Sequence, residues 1–191
     1  MNKNKIKIIG LDASTREISA EKRSLIYSSD VLAGGKRHLD LFVDFKSTKI
    51  PITHDIPGLI NDIKQHLEKG LTISVLASGD PLLFGIGNRL IKEFGIDSIE
   101  IYPGISAVQT ALSKLGLKTD NTLVINRHAS RKESLEKICY HNVSVIFTSG
   151  SHTPADVINE LTDRYPWSCG WRGHICECIG MGDEKISSGN L

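Results

Sequence analysis

Two short stretches carry residue types that chemistry can use. Ser78-Gly79-Asp80-Pro81 ends the apolar run Leu71 to Ala77, and Pro103-Gly104-Ile105-Ser106-Ala107 ends the run Ile99 to Tyr102. Each sets glycine and small residues directly after a strand-like segment, where a ligand can approach the backbone without meeting a side chain. A helix opening after such a loop offers free N–H groups. Two such loops after consecutive strands therefore read as walls of one ligand crevice. Taken singly, either loop is equally a plain turn, and the alternative for Asp80 is a turn residue whose carboxylate bonds nearby N–H groups. Gly85-Ile86-Gly87 is no dinucleotide fingerprint, since the third glycine is missing.

The other residues with ligand chemistry are His174, Cys176 and Cys178, with Cys169 upstream. Thiolate and imidazole are zinc ligands. Cys-x-Cys within His174 to Ile179, however, is a strand alternation that turns both thiols to one face. Buried, reduced, structural cysteines and no metal are the expectation. Cys139 and the other three are too few and too unevenly spaced for a secreted disulfide framework.

The elements that must position these groups alternate along the chain. Ile6 to Ile9 reads as a strand ending at Gly10, with Ser14-x-x-Glu17 or Ser19 starting a helix. Ile56, Ile60, Ile63 and Leu67 recur at helical spacing, with Pro57 in the first turn and Gly70 as the stop. Leu71 to Ala77 is a strand, Leu82 to Phe94 a helix, Ile99 to Tyr102 a strand, and Ile105 to Leu115 a helix. A second part begins near Thr119, with strands at Thr122 to Asn126 and Val143 to Thr148. Ser130-Arg131-Lys132-Glu133 opens a helix to about His141, and Thr153-Pro154 opens one through Tyr165. The Cys-bearing strand follows. Alternating strands and helices predict an α/β protein with a mostly parallel sheet in a first domain, 1–118, and a smaller mixed α/β second domain, 119–191.

With 23 Lys plus Arg against 22 Asp plus Glu, the net charge is +1, so the chain lacks the broad basic surface that nucleic acid or anionic membrane requires. No apolar run approaches the roughly 20 residues of a membrane span. The lysine-rich start lacks a secretory apolar segment, which points to the cytoplasm.

Gly79-Asp80-Pro81 followed by Phe84-Gly85, and then Tyr102-Pro103-Gly104-Ile105-Ser106-Ala107, resembles the motif pair of the tetrapyrrole (corrin and porphyrin) methyltransferases. Ser29-Asp30-Val31-Leu32-Ala33-Gly34-Gly35-Lys36-Arg37-His38-Leu39 resembles the segment of that family's precorrin-7 carbon-5 branch, and the likeness extends through Glu177 to Glu184. There are departures. Gly10-Leu11-Asp12-Ala13-Ser14 stands where the family has a glycine-proline-glycine loop, and Asn126-Arg127-His128-Ala129 stands where it has Ser-x-His-Gly. Family members also usually continue for another strand beyond the point matching Leu191.

The resemblance implies a two-domain tetrapyrrole methylase fold with S-adenosylmethionine in a cleft between the domains. It assigns Ser78, Gly79, Asp80, Leu83, Ser106 and Ala107 to the cofactor, with Thr148 and Gly180 facing it from the second domain. The reaction implied is C-methylation at carbon 5 of precorrin-7 or its cobalt form, in cobalamin biosynthesis. It calls for positioning rather than for a nucleophilic side chain. A substrate with many carboxylates suits arginine. Lys36, Arg37, His38, Arg127 and His128, with Arg131 and Lys132, are the candidate patches, or else a solvated charged face. His128 is also of a type that can move a proton near neutrality. The resemblance further suggests a homodimer, with a separate carbon-15 methyltransferase and decarboxylase as a candidate partner. Two rival readings are a ribosomal RNA methyltransferase of related fold, disfavoured by the balanced charge, and a non-catalytic tetrapyrrole- or nucleotide-binding module, encouraged by the altered first loop.

Overall fold

The computed structural model describes residues 5–12, 18–128 and 133–191. The chain divides into two compact units, Met1–Ser106 and Ala107–Leu191. The first holds a five-stranded sheet built from β1 (Ile6–Leu11), β2 (Val31–Gly34), β3 (Thr48–Pro51), β4 (Ile73–Ser78) and β5 (Ile99–Tyr102), in the order β3-β2-β4-β1-β5. Every pairing in it is parallel. A parallel sheet is covered on both faces, so its strands read as apolar runs rather than as alternation. In β1 every residue but Lys7 is buried.

Helices α3 (Ile56–Glu68) and α4 (Gly87–Phe94) cover one face, packing Leu59, Ile63 and Leu90 with Ile6, Ile8, Val75 and Ile99. Helices α1 (Ala20–Tyr27) and α2 (Lys36–Leu39), with the 3-10 turn Asp40–Phe42, cover the other, packing Ile26, Leu39 and Phe42 with Ile9, Leu32 and Leu76. Neighbouring Ile8 and Ile9 thus serve opposite layers, as strand geometry requires. The chain leaves β1 toward α1 and leaves the adjacent β4 toward α4, on opposite faces. In open parallel sheets such a divergence is where ligands bind, beyond the carboxyl ends of the two strands.

Ser19 caps α1, accepting a hydrogen bond from the Lys22 nitrogen, as one of the two expected helix starts has it; Ser14 and Glu17 lie outside the described residues. Asp55 caps α3 and Pro57 sits in its first turn. The helix expected from Leu82 begins only at Gly87. Between them the backbone turns back over Pro81: the Gly87 nitrogen donates to the Pro81 carbonyl at 3.1 Å, and Asn88 Nδ2 donates to the Leu82 carbonyl at 2.7 Å. A Cβ on Gly85 or Gly87 would lie 2.5 or 2.7 Å from the Pro81 oxygen. Those two glycines therefore serve the turn.

The second unit contains α5 (Ala107–Leu115), the parallel pair β6 (Thr122–Asn126) and β7 (Val143–Phe147), α6 (Pro154–Arg164) and the antiparallel pair β8 (Arg172–Glu177) and β9 (Lys185–Asn190). Ile125, Leu135, Ile138, Val157 and Leu161 form its core. A full capping box, Thr153 with Asp156, opens α6. The helix expected to reach His141 is instead a 3-10 helix, Glu136–Tyr140; its expected start, Ser130 to Lys132, lies outside the described residues. The exposed β9 was not expected, because Lys-Ile-Ser-Ser-Gly-Asn has no apolar alternation. Among the described residues, no helix is long and apolar enough to cross a membrane.

Ile63 is fully buried and Ile96 is 56% exposed. Ile63→Ala should cost about 2–5 kcal/mol in urea unfolding, and Ile96→Ala should stay within about 0.5 kcal/mol of the parent.

Candidate functional site

At the carboxyl ends of β4, β1 and β5, three glycine backbones meet. The Gly79 nitrogen donates to the Leu11 carbonyl, and the Gly104 nitrogen donates to the Gly79 carbonyl at 3.1 Å. A Cβ on Gly10 would overlap the Gly79 oxygen and lie 2.6 Å from the Gly104 nitrogen; one on Gly104 would lie 2.8 Å from the Gly10 oxygen. Gly79 itself has φ +60°, and a Cβ there would lie 2.8 Å from the Ser106 Cα. Side chains at these positions would force the loops apart. Ser106 is buried, and the apolar side chains of Leu82, Phe84 and Ile105 stand exposed on the same two loops.

Two residues that sequence reasoning missed hold this arrangement. Asp12 Oδ1 accepts from the Ile105 nitrogen at 2.8 Å. Lys22 Nζ donates to the Gly10 carbonyl at 2.8 Å and to the Pro103 carbonyl at 2.9 Å, with Asp12 Oδ1 at 3.8 Å. A lysine in the first turn of a helix opposes the helix dipole. That mismatch in α1 was the available signal. Asp80 spends one oxygen on the turn: its Oδ1 accepts from the Leu82 nitrogen at 2.8 Å, and its carbonyl accepts from the Leu83 nitrogen at 3.1 Å.

The segment after β2 reaches the end of β4. Arg37 Nη2 donates to Ser78 Oγ at 2.6 Å, and His38 Nε2 lies 3.1 Å from the same oxygen. Lys36 and Arg37 are exposed and His38 half-buried. Burial, and after it the Arg37 guanidinium, hold the His38 imidazole below its ordinary value of 6.5. Ser78, Gly79, Asp80, Leu83 and Ser106 therefore share one end of the sheet with Arg37 and His38.

In the second unit, Arg127, His128 and Thr148 come together. The Arg127 nitrogen donates to the Phe147 carbonyl at 2.8 Å, and His128 Nδ1 lies 3.1 Å from the Thr148 carbonyl it donates to. Arg127 is 3% exposed, its Nη2 is 3.1 Å from Glu160 Oε1, and its Nε has no partner among the described residues. It lines two cavities of about 560 and 340 Å³, each shared with Glu160. Gly180 stands apart from these, in the β8–β9 turn with φ +77°, and its N–H donates to the Glu184 carboxylate. Ala107 is the first residue of α5. Arg131 and Lys132 lie outside the described residues.

The cysteines depart from expectation. Cys176 is half-buried, Cys139 likewise, and Cys169 and Cys178 are exposed. β8 ends at Glu177, and Cys178 turns away at φ +47°, so the two thiols do not share a strand face. Burial, and then Glu184, push the Cys176 thiol up; a hydrogen bond with Asp183 does the same for Cys178. Among the described residues, no group of three or more His, Cys, Asp or Glu is placed to hold a metal ion.

The depressed His38 gives a testable pH dependence. As pH falls below 6.5, the imidazole of the unfolded chain takes a proton before the folded one does, so stability falls; well above 6.5 both states keep it neutral. Urea unfolding at about pH 7.5 and about pH 5.5 should show a larger loss for the parent than for His38→Gln.

The chain is 34% identical over 184 residues to the cobalt-precorrin-7 C(5)-methyltransferase of Salmonella typhimurium, covering 94% of this chain and 87% of that one. It is similar in structure to the precorrin-6Y methylase of cobalamin biosynthesis from Archaeoglobus fulgidus, with TM-score 0.71, 26% identity, and coverage of 98% of this chain and 90% of that one. The fold also matches the uroporphyrin-III C-methyltransferase of Thermus thermophilus complexed with S-adenosyl homocysteine, with TM-score 0.73, 13% identity, and coverage of 97% and 83%. The family model for tetrapyrrole (corrin/porphyrin) methylases matches residues 9–191. This chain belongs to the tetrapyrrole methylase family.

Proposed function

We propose that this protein is an S-adenosylmethionine-dependent methyltransferase that methylates carbon 5 of cobalt-precorrin-7 in cobalamin biosynthesis. The observation that carries the reading is the 34% identity along 94% of the chain to an enzyme named for that reaction. The same similarity favours it over an RNA methyltransferase or a non-catalytic binding module.

The residues at the sheet's end fit a methyl donor. At Gly10, Gly79 and Gly104 the loop backbones pack directly against one another, where a Cβ would meet neighbouring backbone, and this contact sets the spacing of the loops that would wall the donor. In the proposal Gly79, Asp80, Leu83 and Ser106 wall the donor, and Ser78 stands where donor and substrate meet. Ala107, Thr148 and Gly180 join the cofactor set by family resemblance alone. S-adenosylmethionine supplies an already activated methyl group, so this chain has chiefly to bind and orient. Holding reactants at near-attack distance is worth about 7–11 kcal/mol in favourable cases. The exposed guanidinium of Arg37, braced on Ser78, keeps further N–H groups for a substrate carboxylate. Lys36 and His38 lie beside it on α2, and Arg127 and His128 complete the proposed substrate set. Whether the macrocycle carries cobalt follows the named relative. A homodimer working with a separate carbon-15 methyltransferase and decarboxylase rests on resemblance alone.

Two substitutions test the assignment. Gly79→Val should force the loops apart and lose most of the S-adenosylhomocysteine affinity in calorimetry; a folded variant with unchanged affinity would misplace the donor. Arg37→Ala should weaken cobalt-precorrin-7 binding by about 1.5–3 kcal/mol while sparing S-adenosylhomocysteine. Parent binding of the macrocycle should also weaken as salt rises, more than binding of the methyl donor does.

A further inference from the structure

We infer that the hydroxyl of Ser78, braced by Arg37 and backed by His38, receives the proton that carbon 5 loses when it is methylated. The inference rests on the methyl-transfer reading above.

The chemistry requires an acceptor. A bridging carbon of a tetrapyrrole bears one hydrogen. As it is methylated, carbon 5 gives a π electron pair to the methyl carbon, and the pair of the methyl–sulfur bond leaves with sulfur. The conjugated ring nitrogen is left with the positive charge. Conjugation returns only when the carbon–hydrogen bond breaks, its electrons re-enter the ring, and the proton goes to a base. A positioned general base typically contributes 10²–10⁴-fold.

The geometry supplies one. A guanidinium has no acceptor, so Arg37 can only donate at its 2.6 Å contact with Ser78 Oγ, which occupies one oxygen lone pair. We assign the hydroxyl hydrogen to His38 Nε2, at 3.1 Å, with the imidazole's own proton on Nδ1. The second lone pair of Oγ then takes the carbon proton while the hydroxyl proton passes to Nε2. Burial and the neighbouring Arg37 charge hold His38 below its ordinary value, so the imidazole is neutral with its Nε2 lone pair free, and the 3.1 Å contact places that nitrogen to accept. Arg37 is thus a positioning residue. The relay stands at the right place: Ser78 is exposed, it ends β4, and Gly79 of the proposed donor cradle follows it.

The test compares the parent, His38→Gln and Ser78→Ala, using cobalt-precorrin-7 carrying hydrogen or deuterium at carbon 5. S-adenosylhomocysteine release gives kcat, and calorimetry gives S-adenosylhomocysteine affinity. Both variants should lose about 10²–10⁴-fold in kcat, and His38→Gln should bind S-adenosylhomocysteine like the parent. Deuterium should slow the variants more than the parent, because proton loss becomes rate-limiting, and a purely structural role would not produce that. Unchanged kcat, or a fall in kcat with no larger deuterium effect, overturns the relay while the methyl-transfer reading stands. A parent that does not methylate the macrocycle overturns that reading and the relay with it.

Discussion

Three backbones without side chains, in contact at the carboxyl ends of adjacent strands, are the constraint on which the site depends. Gly10, Gly79 and Gly104 sit at the ends of β1, β4 and β5, and a methyl group on Gly10 alone would overlap one neighbour and crowd the other. Glycine at Gly79 also admits the left-handed turn that sends the chain back over Pro81. The loops are then held at a fixed spacing by Lys22, whose ammonium joins the Gly10 and Pro103 carbonyls. A single cation thus satisfies acceptors from two strand ends and leaves the glycine surface between them as bare backbone.

The second layer of the site comes from strand order. Because β2 lies directly beside β4, the segment after β2 reaches Ser78 in one short helix. Arg37 and His38 are far from Ser78 in sequence yet bond the same oxygen. The glycine-bearing loops at the ends of β1, β4 and β5 and the cationic segment after β2 therefore meet at one residue. Burial and the fixed charge of Arg37 disfavour the imidazolium, so the imidazole stays neutral with a lone pair at Nε2.

The parallel strands were legible in the sequence because burial on both faces writes continuous apolar runs, and β5 and β6 fall at the expected residues. Helix starts with side-chain caps, at Ser19 and Thr153, were legible for the same local reason. The start of α4 was not, since the turn over Pro81 is fixed by one backbone hydrogen bond and not by any periodicity. The strand β9 was missed because an exposed polar hairpin arm carries no apolar alternation, and Cys178 was misread because its positive φ breaks the strand that Cys-x-Cys suggested. In the site, the glycine-bearing loops announced themselves by composition. The Asp12 and Lys22 contacts, which join residues distant in the chain, had only a misplaced charge in a helix turn to reveal them.

In the proposed function the methyl donor lies against the glycine-bearing loops at the ends of β1, β4 and β5. Nitrogen-15 labelling of the 17 glycines, followed by titration with S-adenosylhomocysteine, tests it directly. The amide signals of Gly10, Gly79 and Gly104 should move together in a saturable way, while those of Gly95 and Gly116, which have open space around them, stay in place. Saturable binding that leaves Gly10, Gly79 and Gly104 unmoved would contradict the claim.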